Sequence, residues 1–265
     1  QRLKHRYDVE ILTREPKIPY RETILQKAEA SYKHKKQSGG RGQFAEVHLR
    51  VYPLPREITT QEQLEAEFAN KKHFEKMRSA HYDPALNFAF IDHIVGGTIP
   101  NNFIPAIEKG CKEILERGVI AGYRIQDCAV EVHFGKYHDV DSSEAAFKTA
   151  ARHAFKKAFA AARPTLLEPI VKLEITVPSK YTGAILGDLP TKRAHVENQD
   201  SLPGDMTVIF ARAPLGEVAR YAAQLGGITQ GTGSYAMELS HYEMVPANVQ
   251  QQIVSKSQLK DDDDE

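Results

Sequence analysis

Between Gln43 and Tyr52 the chain alternates strictly: Ala45, Val47, Leu49 and Val51 fall on one face, Glu46, His48, Arg50 and Tyr52 on the other. That two-residue period predicts a half-buried strand. Ile125–Phe134 repeats it, with Cys128, Val130, Val132 and Phe134 expected inward and Asp127, Glu131 and His133 outward. An apolar segment, Leu86–Val95, ends at the turn residues Gly96 and Gly97. Phe103–Arg117 then reads as a helix, with Phe103, Ile107, Ile114 and Leu115 near one face and Gly118 just past its end. In a second helix Phe147, Ala151, Ala154, Phe155, Ala158 and Ala162 recur at helical spacing until Arg163–Pro164. Asp141 and Glu144 before it have capping-box spacing.

The pattern restarts after Pro164. Val171, Leu173, Ile175 and Val177 alternate with Lys172, Glu174 and Thr176. A short helix over Lys180–Leu189, strands near Ala194–Gln199 and Met206–Ala213, a helix over Leu215–Gln224 and a strand over Tyr235–Tyr242 complete β-α-β-β-α-β. This is the ferredoxin-like order, an antiparallel sheet covered on one face. The expectation is therefore an α+β chain of two domains with a boundary near Pro164–Leu167 and an appended helix around Pro246–Lys256. Leu54–Pro84, rich in Glu, Lys and Gln, is too long for an ordinary connection and reads as an insertion, with an exposed helix over Gln61–Met77.

Length supports that division, because 265 residues suit two domains of ordinary size. No apolar run approaches the ~20 residues that span a bilayer, so no membrane partner is expected. Lys plus Arg and Asp plus Glu both number 35, but five of the acids form the tail Asp261–Glu265, so the remainder carries +5. Two cysteines, Cys111 and Cys128, give neither a disulfide framework nor a zinc quartet, which suits a reducing compartment and favours the cytosol. The first residue is not Met, and Gln1–Ile18 opens without a helix cap, reading as the end of something longer.

The basic string Tyr32–Lys36, with Lys33, Lys35 and Lys36, runs into Gln37-Ser38-Gly39-Gly40-Arg41-Gly42-Gln43-Phe44. It is either a hairpin tip offering free amides and cations to a phosphate backbone or a flexible glycine turn beside a solvated strand. It is no P-loop, since no Lys-Ser or Lys-Thr follows at the required spacing. His133, His138, Asp139 and Asp141 match no standard zinc spacing, and Ser142, His138 and Asp141 lack a nucleophile elbow. No metal site and no catalytic residue is expected in this chain. Lys148, Arg152, His153, Lys156, Lys157 and Arg163 form either a solvated helix face or an RNA-facing one. Gly226–Gly233 is another amide-rich loop.

Several strings in order are far more specific than any one. Pro19–Ile24, Lys36–Phe44, Ile94–Pro100, Gly118–Tyr123, Tyr137–Glu144, Leu166–Ile170, Gly187–Leu189 and Leu225–Gly233 together make the chain resemble the C-terminal part of elongation factor G, over about Tyr20–Val249. The resemblance implies a tail of domain III at 1–25, an elongated ribosomal-protein-like domain IV at 26–165 with the insertion at 54–84, a ferredoxin-like domain V at 166–249 and an extension at 250–265. It implies an RNA-binding tip built from Gln37, Ser38, Gly39, Gly40 and Arg41 in one loop and Tyr137, His138 and Asp139 in the other. Lys33, Lys35 and Lys36 are further RNA-facing candidates. The implied partners are the ribosome, at the small-subunit decoding site and the large-subunit factor-binding region, with tRNA and mRNA, for a cytoplasmic monomer. GTP and magnesium would belong to an N-terminal domain outside this chain. Ala45 stands where the family usually has glycine, and Ala194-His195 where it has Arg-Gly. A divergent paralogue acting in ribosome recycling or protection, or a free-standing RNA-binding module, are the alternatives.

Overall fold

A computed structural model describes residues 17–37, 42–69 and 75–257. Residues 1–16 and the acidic tail lie outside the described residues. Among the described residues the chain divides into two compact units: Tyr20–Leu167 with residues 244–257, and Glu168–Glu243 with residues 17–19. Both are mixed α+β. Among the described residues no helix is long and apolar enough to cross a membrane.

The first unit begins with β1 (Arg21–Ile24), β2 (Ala28–Lys36) and β3 (Gln43–Pro53), followed by α1 (Gln61–Ala69), β4 (Ser79–Asp83) and β5 (Phe88–Asp92). Helix α2 (Ile104–Arg117) leads to β6 (Cys128–Lys136), and α3 (Glu144–Ala161) closes the run. Its sheet has the order β2-β3-β6-β5-β4. β5 and β6 are parallel and α2 is their crossover, whereas the other pairs are antiparallel. The two helices cover one face: Phe147, Phe155 and Phe159 of α3 and Ile107 and Ile114 of α2 pack with Val47, Leu49, Val51, Val130 and Val132. The helices approach closely at Gly110, where a Cβ would stand 2.5 Å from the Lys148 carbonyl oxygen.

The opposite face corrects three expectations. A β-bulge at His133, where the register with β3 shifts between His48 and Leu49, turns Phe134 out of the helix-covered core and onto this face beside His48. The segment read as an insertion folds onto the sheet: Leu54, Ile58, Leu64 and Phe68 pack with Ala89, Ile91 and Ala129, so α1 is not an exposed helix. Burying Leu64 and Phe68 contributes roughly 1.5–3 kcal/mol each, enough to hold a short helix whose other face is polar. Because that layer covers the sheet, Glu131 is fully buried, not outward. Tyr52 Oη donates to it, His93 Nδ1 lies 2.6 Å away and Arg50 Nη1 3.4 Å. Burial, then the bond to Glu131, hold the Tyr52 phenol far above its usual range.

Glu22 of β1 is the second fully buried carboxylate. It accepts four backbone N–H groups from one loop: Val119 at 2.5 Å, Ile120 at 3.0 Å, Ala121 at 2.9 Å and Tyr123 at 3.0 Å. Burial pushes its carboxyl above the ordinary range, against the pull of those four donors. At its other end the unit takes in α7 (Ala247–Lys256), where Gln250 Oε1 accepts from Thr165 Oγ1 at 2.9 Å and from the Leu166 amide at 3.0 Å. Val249, Ile253 and Val254 pack with Ala121, Leu166 and Val245, so this helix is part of the unit's packing and not an appendage.

β7 (Pro164–Pro178) pairs with β1 through its first four residues, Leu167 opposite Arg21. The second unit takes the rest of β7, then α4 (Thr182–Asp188), β8 (His195–Leu202), β9 (Met206–Pro214), α5 (Leu215–Val218), α6 (Tyr221–Ile228) and β10 (Ser234–Met244). The order β10-β7-β9-β8 is ferredoxin-like, as the periodicity predicts. Val171, Leu173, Ile175, Val177, Ile209 and Ala211 form its core with Ile185, Tyr221 and Leu225. The helix expected over Leu215–Gln224 is broken instead, with Arg220 at φ −113° preceding α6.

Candidate nucleic-acid interface

Two loops meet at one end of the first unit's sheet. The β2–β3 hairpin is paired as far as Lys36 opposite Gln43, which places Gln37 and Gly42 at its tip. Gln37 is exposed; Ser38, Gly39, Gly40 and Arg41 lie outside the described residues. The second loop, Tyr137–Ser143, joins β6 to α3, and Tyr137, His138 and Asp139 are all exposed.

Hydrogen bonds tie the loops into one body. The Phe44 amide donates to the Asp141 carbonyl at 2.9 Å. Ser142 Oγ donates to the Phe44 carbonyl at 2.8 Å and accepts from the His138 amide at 2.8 Å. Gly42 is fitted against the Asp141 carboxyl, whose nearest atoms stand 2.9 Å from where a Cβ would be. This also corrects the capping assignment. Asp141 is occupied in the loop, and the N-cap of α3 is Ser143, whose Oγ accepts from the Ala146 amide at 3.2 Å.

His138 is held by its own loop. Its Nδ1 accepts from the Val140 and Asp141 amides, each at 3.3 Å. The Asp141 Oδ2 carboxylate oxygen lies 3.6 Å from the same nitrogen. The side chain is 56% exposed. The tip thus offers an imidazole anchored by its own loop beside exposed Gln37, Lys35 and Lys36, while Lys33 Nζ sits 5.5 Å above the Phe44 ring.

The other sequence candidates are accounted for differently. Lys148 Nζ lies 3.0 Å from Glu113 Oε1 and Arg152 Nη1 3.7 Å from Glu113 Oε2, so these two cations answer α2. Lys157 stands over the Tyr32 ring, which stacks on His153 at 4.4 Å. In the second glycine-rich loop, Thr229 Oγ1 donates to the Leu225 carbonyl at 2.7 Å and accepts from the Gly233 amide at 2.9 Å. His133 is not beside His138: its Nε2 is 3.3 Å from Glu29 Oε1, and burial, then Arg50, depress its pKa to about 4. Among the described residues no three His, Cys, Asp or Glu side chains gather as a metal site. Cys111 and Cys128 are fully buried, and burial pushes both thiols far up.

Residues 16–73 and 77–163 match the family model described as Elongation factor G, domain IV, and residues 165–253 match that described as Elongation factor G C-terminus. The class is therefore that of the translation elongation factors. The chain belongs to the elongation factor G family, and all but residues 74–76 of the segment read as an insertion falls within the domain IV match. It is 43% identical over 253 residues to Elongation factor G of Thermotoga maritima, covering 96% of this chain and 33% of that protein. Elongation factor G of Petrotoga mobilis is 41% identical over 256 residues, with 96% and 33% covered. A second Thermotoga maritima protein, named Elongation factor G-like protein, is 37% identical, with 97% and 33% covered. A crystal structure of a Thermus thermophilus protein superposes with a TM-score of 0.72 at 38% identity, covering 94% of this chain and 33% of that one. The chain thus spans about a third of the length of the relatives it matches.

Proposed function

We propose that this chain is the ribosome-facing arm of an elongation factor G-type GTPase, promoting tRNA–mRNA translocation through the loops around Gln37–Gln43 and Tyr137–Asp141. The observation that carries this reading is the hydrogen-bonded union of the two loops through Phe44, Asp141 and Ser142. Two separate loops would yield when pressed against a duplex, whereas one cross-linked tip holds its shape. Its donors suit phosphate and ribose oxygens, which position an RNA without reading its bases. Ser38–Arg41 would add amides and a cation to that tip. GTP binding, with magnesium, belongs to the remainder of the intact factor. The partners are the small-subunit decoding site, the large-subunit factor-binding region, tRNA and mRNA, for a cytoplasmic factor.

The burial of both cysteines gives a direct test. In the intact factor, stripped of any upstream reactive cysteines, Asp139→Cys should take an iron chelate at the tip. Hydroxyl radicals generated there on the ribosome should cut small-subunit RNA around the decoding site. Cuts confined to the large subunit would overturn the placement.

A further inference from the structure

The sheet face turned away from α2 and α3 is built in rows by the strand register. Lys35 lies opposite Phe44; Lys33 and Lys136 flank Glu46; Ser31 and Phe134 flank His48; Glu29 and Glu131 flank Arg50. Directly opposed residues share a face. The far end of this face is covered, Tyr52 lying edge-on to Phe68 at 6.4 Å. The tip-proximal end is not closed in the same way: Phe44, His48 and Phe134 are partly exposed and Lys136 is 60% exposed.

The open half combines rings and cations. His48 stands edge-on to Phe134 at 5.0 Å, and Lys33 Nζ sits above the Phe44 ring. Phe44 and the row of Phe134 are four residues apart along β3, about 13 Å. Three lysines surround one acid there, Glu46, which already pairs with His48 at 3.0 Å and Lys136 at 3.6 Å. The next row reverses the balance, with Glu29 and Glu131 around Arg50. Charge therefore changes sign along the face and restricts an anionic ligand to the tip-proximal half.

We infer that this half of the sheet is a platform for single-stranded RNA, Phe44 and Phe134 stacking bases while Lys33, Lys35 and Lys136 meet phosphates. Aromatic rings reachable from solvent on a sheet beside cations are the chemistry by which single strands are held without sequence preference. An acidic protein surface would use the lysines but has no need of the rings. The platform rests on the proposed tip reading for its setting and extends it from the loops onto the sheet, where a strand leaving the tip would run.

The test uses the full 265-residue chain and a labelled oligouridylate of about twelve nucleotides, a length within the ~4–16 that such surfaces cover, followed by fluorescence anisotropy. Phe44→Leu with Phe134→Leu keeps apolar volume and removes both rings; it should weaken binding about tenfold with the salt dependence unchanged. Lys33→Gln with Lys136→Gln should instead reduce the log–log salt slope by roughly 1.4. Lys172→Gln, on β7 of the second unit, should leave the affinity within about twofold, which confines the binding to the first unit. Absence of binding by the wild type, or wild-type affinity in the double leucine variant, overturns the proposal. So does tighter binding of polyglutamate than of oligouridylate. Photocrosslinking of a 4-thiouridine oligomer to the unaltered chain reads the contact without any substitution that could disturb folding. Adducts on the peptides carrying Phe44 and Phe134 support the platform; adducts confined elsewhere sink it. Decoding-site cuts from position 139 without ring-dependent RNA binding would leave the tip reading standing and this one refuted.

Discussion

Glu22→Ala should lower the unfolding free energy of the first unit by roughly 3–5 kcal/mol, measured by urea denaturation. The carboxylate is fully buried, and its removal strands four backbone N–H donors in one loop. A buried donor left unpaired costs about 1–3 kcal/mol, and water entering the vacated space offsets part of the sum. Glu22→Gln separates charge from volume: it fills the same space, but its NH2 group confronts amide donors in place of an acceptor oxygen. A loss of roughly 2–3 kcal/mol is expected for that variant. Wild-type stability in both would mean that the loop is held by something other than this carboxylate.

Gly118→Ala should damage the same clasp from the other side, by at least about 3 kcal/mol. Gly118 ends α2 with φ 71° and ψ 177°, a region essentially restricted to glycine. A Cβ there would overlap the Tyr123 carbonyl oxygen and stand 2.5 Å from Glu22 Oε1. The α2 terminus and the Glu22 loop would both have to move. Thermal unfolding of the variant should show a drop of several degrees; an unchanged midpoint would show that the loop relaxes freely. Because Glu22 lies in β1, ahead of the sheet, the clasp fixes the point at which the chain enters the unit. Hydrogen exchange at the Val119, Ile120, Ala121 and Tyr123 amides should accelerate in either variant.

How much of the fold is legible in the sequence follows physical range. Strands with one apolar face, such as β3 and β9, and the alanine-rich α3 announce themselves through local periodicity. So does the ferredoxin-like order of the second unit. Periodicity misplaces Glu131 because alternation reports only one layer, and the second layer comes from a segment whose apolar residues are sparse. Leu64 and Phe68 stand one helical turn apart among Glu and Gln, too thin a pattern to promise burial. Spacing gives the α3 cap to Asp141 in place of Ser143 because it does not show that Asp141 is bound to the hairpin. Glu22 meets partners 97 to 101 residues away, and no local signal joins them. Both ends of that clasp, Pro19–Ile24 and Gly118–Tyr123, nevertheless stand among the strings that carry the family resemblance. The glycine run after Lys36 suggests a hairpin tip as one of two readings, the part of Tyr137–Asp139 in it comes only from that resemblance, and the joining of the loops by Phe44, Asp141 and Ser142 is not legible at all.

If the joined tip moves RNA on the ribosome, the rate of mRNA movement driven by the intact factor, wild type beside His138→Ala, shows it most directly, with GTP hydrolysis followed in the same reaction. Hydrolysis should stay near the wild-type rate while translocation slows at least about tenfold, equivalent to ~1.4 kcal/mol in the barrier. Translocation at the wild-type rate without the His138 side chain would mean that the tip does not move the RNA.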